Sequence, residues 1–224
     1  MLPLHGKPSL EYILNGLIYV GIRDFTFVVG YQKEQIIGHF KNGEKWGVNI
    51  QYVEQNNLNG TGGALLLCEP LIKNTHFVLT WGDNLLDYDI YAKIINLFKK
   101  EVHNFILVTN YSQDPHLGAA VYTEGDFCID IIEKPPRCKS KSNLNNAGLF
   151  ILSKEIFESL KALEPSERGE IELPQAIANG IKYKNWKVRV LRMEHDQFKG
   201  DVGNKSEYER LKDDDSWLKF LKFK

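Results

Sequence analysis

Apolar residues in the first half of the chain alternate between helical spacing and short continuous runs. The segment 9–21 has helical spacing, and 25–29 is a short, mostly apolar run typical of a buried strand. The alternation continues with predicted helices at 33–41, 61–72 and 90–100 and predicted strands at 50–54, near 77 and at 105–110. This order predicts an α/β fold with a Rossmann-like, mainly parallel sheet flanked by helices. Ligands of such sheets gather outside the carboxyl ends of the strands.

Strand patterns dominate from residue 119 onward and predict a smaller antiparallel part. Residues 206–224 have the spacing of a terminal amphipathic helix. The chain has 224 residues, of which 43% are hydrophobic, so it can bury the core of one domain. We therefore predict a single domain over residues 1–224.

Composition restricts the partners that the chain can have. The net charge of −1 provides no basic excess for nucleic acid or an anionic membrane, so any phosphate binding must be local. No stretch of sequence approaches the length and apolar character of a membrane span. The three cysteines lack the spacing of a metal site, and a reducing cytoplasm is the simplest setting for them.

Two aspartates, Asp83 and Asp201, each follow a strand-like run and precede a turn. Two oxygen ligands from distant parts of a chain suit Mg²⁺ when phosphate and water supply its other ligands. A structural alternative exists for each residue, since aspartate is also common in turns.

Seven short motifs accompany these aspartates. In chain order they are GKPSLEYIL from residue 6, VVGY from 28, GTGGAL from 60, WGDN from 81, IEKP from 132, NAG from 146 and DVG from 201. Together they resemble the sugar-phosphate nucleotidylyltransferases, and in particular the glucose-1-phosphate thymidylyltransferases, over nearly the whole chain. The resemblance implies transfer of a nucleoside monophosphate from a nucleoside triphosphate to a sugar 1-phosphate, with release of pyrophosphate. It also implies that the antiparallel part covers the sugar and that the protein can form homo-oligomers.

The resemblance assigns roles to particular residues. Asp83 and Asp201 would hold Mg²⁺, and Lys134 would bind the sugar phosphate. Residues implied to bind the nucleotide are Gln55, Gly60 and Thr61, and those implied to bind the sugar are Gly118, Glu133 and Asn146. Alternatives remain: Glu133 could pair with Lys134 or Arg137, and the segment from Gly60 could be only a helix start, because Thr and Gly are good caps.

One feature of the family has no match in this sequence. Family members have a first strand, a glycine-rich loop containing an arginine, and a Pro-Lys-Pro segment ahead of the residues that match Met1 to Leu4. Without the strand, two interior strands would face a gap whose unpaired backbone groups cost about 1–3 kcal/mol each. We therefore expect the nucleotide half to be incomplete and the chain as given to be inactive, with Met1 an internal methionine of a longer protein. The alternative is a true short protein that has repaired its sheet in another way.

Two other functions remain open. A non-catalytic family member could bind or sense a nucleotide-sugar without turning it over. A metal-dependent glycosyltransferase would use an Asp-x-Asp motif, which Asp87-Tyr88-Asp89 resembles, although N-capping of a helix also explains that motif. The motifs identify neither the base nor the sugar.

Overall fold

A computed structural model of the chain describes residues 1–101 and 103–221. The strands are β1 (Pro3–Leu4), β2 (Lys7–Pro8), β3 (Asp24–Val29), β4 (Asn49–Glu54), β5 (His76–Thr80), β6 (Asn84–Leu86), β7 (Phe105–Tyr111), β8 (Ala119–Glu124), β9 (Phe127–Glu133), β10 (Leu144–Ser153), β11 (Val188–Arg192) and β12 (Lys199–Asp201). The α-helices are α1 (Ser9–Tyr19), α2 (Lys33–Phe40), α3 (Gly60–Cys68), α4 (Tyr88–Lys100), α5 (Ile156–Lys161), α6 (Leu173–Lys184) and α7 (Lys205–Asp213). Short 3-10 helices span Glu44–Trp46, Glu69–Leu71, Pro115–Leu117 and Ser216–Leu221.

The main sheet has six strands in the order β5, β10, β7, β11, β9, β8. Strands β7 and β11 are parallel, whereas the other neighbours in this sheet are antiparallel. Strands β3 and β4 form a separate parallel pair. The predicted α/β class is confirmed, and the sheet is more mixed than the helix and strand alternation indicated. The physical reason is that β8 and β9 are joined by a turn of only two residues, whereas parallel neighbours need a longer crossover.

Alternating side chains of the central strand β7 enter two different cores. Ile106 and Val108 pack with α1 and α4 on one face of the sheet. Phe105 and Leu107 pack with α3, α5 and α6 on the other face. All four are fully buried, as expected for a strand covered on both faces. The protein is thus a three-layer structure with helices on both sides of the sheet.

Strands β3 and β5 each have one edge without a strand partner in residues 1–101 and 103–221. Strand β3 pairs with β4, and β5 pairs with β10. The side chains of β5 are all only partly buried, although its sequence is that of an interior strand. The parallel pair β3–β4 therefore shares no ladder with the six-stranded sheet in the described part of the chain.

The C-terminal segment departs from its prediction. A continuous helix over 206–224 is wrong, because α7 ends at Asp213 and a 3-10 helix starts at Ser216. Three consecutive aspartates at 213–215 are unfavourable at the negative end of a helix dipole. The carboxylate of Asp214 instead accepts hydrogen bonds from the N–H and the hydroxyl of Ser216 at 2.9 and 2.8 Å. Residues 222–224 of the predicted helix lie outside the described residues.

No helix in the described part of the chain combines the length and the apolar character needed to cross a bilayer.

Candidate functional site

The pairing of β6 with β12 brings Asp83 and Asp201 together. Asp83 immediately precedes β6, and Asp201 is opposite Asn84 in the antiparallel ladder. The N–H of Val202 donates to the carbonyl oxygen of Asp83 at 2.9 Å. Residues 118 positions apart in the chain are thereby fixed side by side by backbone hydrogen bonds.

The two carboxylates point at the same glycine. A Cβ built at Gly203 would lie 3.0 Å from Asp83 Oδ2 and 3.1 Å from Asp201 Oδ1. Because both distances are measured from the same Cβ position, the two oxygens are at most about 6 Å apart. The N–H of Gly203 also donates to Asp201 Oδ1 at 2.8 Å and holds that carboxylate in place. Glycine at this position leaves the space between the carboxylates open.

The electrostatics of the pair follow from this closeness. Asp83 is exposed as a whole residue, but its carboxyl group turns toward Gly203 and is partly withdrawn from water. This withdrawal, followed by repulsion from the Asp201 carboxylate, raises the pKa of Asp83. A hydrogen bond from its own backbone and the positive charge of Lys199 act in the opposite direction. The pair therefore carries repulsion that a cation would relieve.

A bulge in β10 lies next to the residues that flank Asp83. The register of β10 against β7 shifts between Asn146 and Phe150. Gly148 has φ +78°, and a Cβ there would lie 2.1 Å from Trp81 Cδ1, so the position requires glycine. Asn146 Oδ1 accepts from the N–H of Gly148 at 2.8 Å. This bulge links Asn146 to the residues that flank Asp83.

Gly118, Glu133 and Lys134 form a second group at the ends of β8 and β9. Glu133 ends β9 opposite Ala119, and the N–H of Lys134 donates to the carbonyl of Gly118 at 3.0 Å. Lys134 has φ +42°, a left-handed conformation that costs a non-glycine residue of order 1–3 kcal/mol. Such strain is concentrated at functional sites, where the surrounding structure enforces it.

Arg168 is a neighbour of Glu133 that the sequence did not reveal. Its Nη2 lies 2.9 Å from Glu172, 3.3 Å from Glu170 and 3.9 Å from Glu133. Burial, followed by the Glu172 carboxylate, raises the pKa of Glu133, and the positive charges of Lys134 and Arg168 lower it. The ion pair that sequence analysis considered with Arg137 is not the one that forms. The sequence feature that could have indicated Arg168 is the motif RGEIE, which begins at this residue.

Gln55, Gly60 and Thr61 lie at the junction of β4 and α3. Gln55 Nε2 donates to Asn59 Oδ1 at 3.1 Å and to the Gly60 carbonyl at 3.3 Å. Thr61 Oγ1 accepts from the N–H of Leu173 at 3.4 Å, so its hydroxyl caps α6. Gly60 has φ +91°, and a Cβ there would lie 2.7 Å from the Ile171 carbonyl.

The segment 168–172 connects the nucleotide and sugar groups of residues. Its Arg168 reaches Glu133, while its Ile171 exchanges backbone hydrogen bonds with Asn59 and Gly62 at 2.7 and 2.8 Å. No hydrogen bond or ion pair within the described residues joins Asp83 to Gln55 or to Lys134 directly. The structure thus gathers the predicted residues into three groups rather than one.

The metal ligands available in the described residues are few. No group of three or more His, Cys, Asp or Glu side chains there is arranged to hold a metal ion. The Asp83 and Asp201 pair offers two oxygen donors, which is the incomplete ligand set typical of Mg²⁺ shared with phosphates.

Comparison with known proteins identifies the family. A sequence model of the family described as Nucleotidyl transferase matches residues 1–216. The chain belongs to this family. The Bifunctional protein GlmU of Methanococcus aeolicus is 37% identical over 187 residues, which cover 84% of the chain and 43% of that protein. The UTP--glucose-1-phosphate uridylyltransferase AglF of Haloferax volcanii is 31% identical over 179 residues, covering 79% of the chain and 72% of that protein. The chain spans less than half the length of the GlmU relatives.

Solved structures show the same fold. One, described as a glucose-1-phosphate thymidylyltransferase from Bacillus anthracis, superimposes with a TM-score of 0.83 at 23% identity and covers 100% of this chain and 86% of its own. A UDP-glucose pyrophosphorylase bound to UDP-glucose gives 0.83 at 22% identity, covering 95% of this chain and 88% of its own. The resemblance inferred from the seven motifs is confirmed.

Proposed function

We propose that this site transfers a nucleoside monophosphate from a nucleoside triphosphate to a sugar 1-phosphate. The observation that carries the proposal is the convergence of Asp83 and Asp201 on Gly203 in a chain of the nucleotidyl transferase family. In the reaction, an oxygen of the sugar phosphate attacks the α-phosphorus, the bond from that phosphorus to the bridging oxygen breaks, and pyrophosphate leaves. Both substrates are polyanions, so alignment and charge neutralisation supply most of the catalysis.

Asp83 and Asp201 fit a shared Mg²⁺. The ion binds oxygens at about 2.1 Å, so small rotations of the two side chains suffice to bring oxygens that are at most about 6 Å apart to ligand distance. When bound, the metal would neutralise charge developing on the α-phosphate. The raised pKa of Asp83 supports this assignment, because a pair of repelling carboxylates gains most from a cation between them.

Lys134, Glu133, Gly118 and Asn146 would bind the sugar phosphate and the sugar. The strained backbone of Lys134 fixes where its side chain leaves the sheet, and its ammonium ion would hold the phosphate. Glu133 and the carbonyl of Gly118 lie beside it and can accept hydrogen bonds from sugar hydroxyls. Asn146 would lie at the edge of the sugar, near the metal pair.

The amide of Gln55 offers a hydrogen-bond acceptor to a base. A carbonyl oxygen can only accept, so the contact with Gly60 identifies the nearer Gln55 atom as Nε2. Its two donated bonds leave Oε1 as the group available to a ligand. This acceptor can take a hydrogen bond from an N–H on the edge of a pyrimidine or a purine, so the contact alone does not select one base.

A second candidate is a nucleotide-sugar-binding protein without turnover. The observation that favours it is that β3 and β5 each have one edge without a strand partner in residues 1–101 and 103–221. In this case the sugar groups would bind a ligand without phosphoryl transfer.

A chimera distinguishes the two candidates. A first strand and a glycine-rich loop of the kind found in the family would be joined ahead of Met1, and pyrophosphate release would be measured with Mg²⁺, nucleoside triphosphates and hexose 1-phosphates. We expect no pyrophosphate above background from the 224 residues alone and clear release from the chimera. In the chimera, Asp83→Asn or Asp201→Asn should lower the rate roughly 10²-fold or more, whereas Asp196→Asn, an exposed control, should not.

The chimera must also be shown to fold, by its thermal unfolding and by calorimetric binding of a nucleotide-sugar. A folded chimera that binds the nucleotide-sugar yet releases no pyrophosphate would favour the non-catalytic candidate. Full activity of the Asp83→Asn chimera would exclude the proposed metal pair.

A further inference from the structure

Four cations lie close together on the loop between β9 and β10. They are Lys134, Arg137, Lys139 and Lys141, and all four are exposed. No Asp or Glu occurs between residues 134 and 143, although the whole chain has 29 acidic and 28 basic residues. We call residues 134–141 the basic loop. It concentrates positive charge on a protein whose net charge is −1.

The cations of the basic loop have no anionic partner. None of the four is within 4.0 Å of a carboxylate in the part of the chain that the structure describes. Arg137 makes no side-chain hydrogen bond there either. The other arginines each make a hydrogen bond or an ion pair, and they are Arg23, Arg168, Arg189, Arg192 and Arg210. The charges of the basic loop are therefore not neutralised locally, and they determine the potential of this surface.

Hydrogen bonds to β8 hold the basic loop in place. Ser140 Oγ lies 3.2 Å from the Tyr122 hydroxyl and donates to the Ser142 carbonyl at 2.8 Å. Ser142 Oγ in turn donates to the Val121 carbonyl. Both Tyr122 and Val121 belong to β8, a strand of the main sheet. The cations are thus carried by an anchored loop rather than by a free tail.

Both ends of the basic loop lead to the residues of the proposed site. At the first end, Lys134 follows Glu133, and the N–H of Lys134 donates to the Gly118 carbonyl at 3.0 Å. Beyond the other end, the chain enters β10 at Leu144, two residues before Asn146 and the bulge described above. The cations therefore lie along the border of the residues proposed to bind the sugar phosphate.

We propose that the basic loop is an electrostatic capture surface for phosphorylated small molecules. The proposal rests on the proposed function, in which both substrates and the released pyrophosphate carry several negative charges. Unpaired cations beside a site raise the local concentration of such anions and their rate of arrival, by about 10–10³-fold in favourable cases at low salt. Arg137, Lys139 and Lys141 would act before the ligand is bound, so they accelerate association and leave dissociation nearly unchanged.

The position and the size of the basic loop favour a small ligand over an anionic polymer. Nucleic-acid affinity depends on neutralising many phosphates along the backbone, which needs a longer basic surface than one loop. The loop is instead next to a group of residues that offers a cation, a carboxylate and a backbone carbonyl, all within reach of one phosphorylated sugar.

Stopped-flow binding of UDP-glucose to the 224-residue protein tests the proposal without requiring turnover. Tryptophan fluorescence would report binding at about 0.01 M salt, where charges act over about 30 Å, and at about 1 M, where they act over about 3 Å. The test variant combines Arg137→Gln, Lys139→Gln and Lys141→Gln and leaves Lys134 unchanged. Its association rate constant should fall about tenfold at low salt and stay within about twofold of the unchanged protein at high salt.

A matched control removes the same charge elsewhere. Lys73→Gln, Lys99→Gln and Lys100→Gln affect exposed lysines that, like those of the loop, have no carboxylate within 4.0 Å among residues 1–101 and 103–221. They precede β5 or end α4, whereas Asp83 follows the opposite end of β5. Because net charge alone has a weak effect at this distance, the control should change the association rate constant by no more than about twofold.

The outcomes separate this proposal from the proposed function. Unfolding temperatures verify that both triple variants are folded. Equal association rate constants of the loop variant and the unchanged protein at low salt would overturn the proposal, as would an equal fall in the control. An effect that persists at high salt or lies in dissociation would show direct contact instead of capture, which also overturns it. So would failure of the unchanged protein to bind UDP-glucose, or a loss confined to binding of a short single-stranded oligonucleotide. Absence of pyrophosphate release from the chimera would count against nucleotidyl transfer alone.

Discussion

Replacing Asp83 by asparagine should stabilise the protein while removing its response to Mg²⁺. The carboxylates of Asp83 and Asp201 come within about 6 Å of each other. At that distance two unit charges in a water-like dielectric repel by about 0.7 kcal/mol. Asp83 and Asp201 both keep contact with water, so the higher repulsion energies of a fully buried pair do not apply. For a domain of this size, 1 kcal/mol changes Tm by about 2–4 °C, so the expected gain is about 2 °C.

The pH dependence of this gain has a definite sign. The pKa of Asp83 is raised above its ordinary value of 3.8, so the folded protein holds the proton more tightly than the unfolded chain. The wild type therefore loses stability as pH rises through the interval between 3.8 and the raised value. The amide introduced by Asp83→Asn cannot ionise, so the advantage of this variant is full above the interval and disappears below 3.8.

Differential scanning fluorimetry at low salt measures both effects. Millimolar Mg²⁺ should raise Tm of the wild type by mass action and leave Asp83→Asn unchanged. The control Asp196→Asn removes an equal charge from an exposed loop residue and should keep the Mg²⁺ response. The reasoning is refuted if Asp83→Asn lowers Tm at neutral pH, if its advantage persists in acid, or if Mg²⁺ stabilises it as much as the wild type.

Two other predictions concern packing and thiol chemistry. Gly180→Ala should destabilise the protein by about 1–3 kcal/mol in a urea titration, because the new Cβ would lie 1.8 Å from Trp186 Cε3. Gly38→Ala, also in a helix but with nothing within 4 Å, should instead stabilise by about 0.5–1 kcal/mol, and a loss there would contradict this explanation. Iodoacetamide at pH 8 should alkylate the exposed Cys138 first, as mass spectrometry would show. Burial raises the pKa of Cys128 to about 12, so its labelling before unfolding would refute the assignment.

Most of the helices and strands could be predicted, because their signal is local. The helical spacing predicted over 9–21 matches α1, and the apolar run at 25–29 matches β3. Short elements could not be predicted in this way. Strand β12 has three residues, too few for a period of two to be recognised, yet it brings Asp201 next to Asp83. The sequence identified both aspartates as candidates, but their proximity depends on this long-range pairing.

The residues that sequence analysis missed depend on tertiary contacts. Arg168 was not among the predicted site residues, because its role depends on Glu133, which lies on a distant strand. Lys199 has no distinctive sequence context, and only the pairing of β12 with β6 shows that it lies beside the aspartates. The left-handed backbone of Lys134 could not be predicted either, because lysine is not one of the residue types that are enriched in this conformation.

The two ends of the site are joined to the fold in different ways within the described residues. The segment from Gln55 to Gly60 follows β4 and is attached to the rest of the site by the backbone hydrogen bonds at Ile171. The sugar group, in contrast, lies on β9 and β10, within the six-stranded ladder. Residues 168–172 are therefore the direct backbone link through which a change at one end can reach the other.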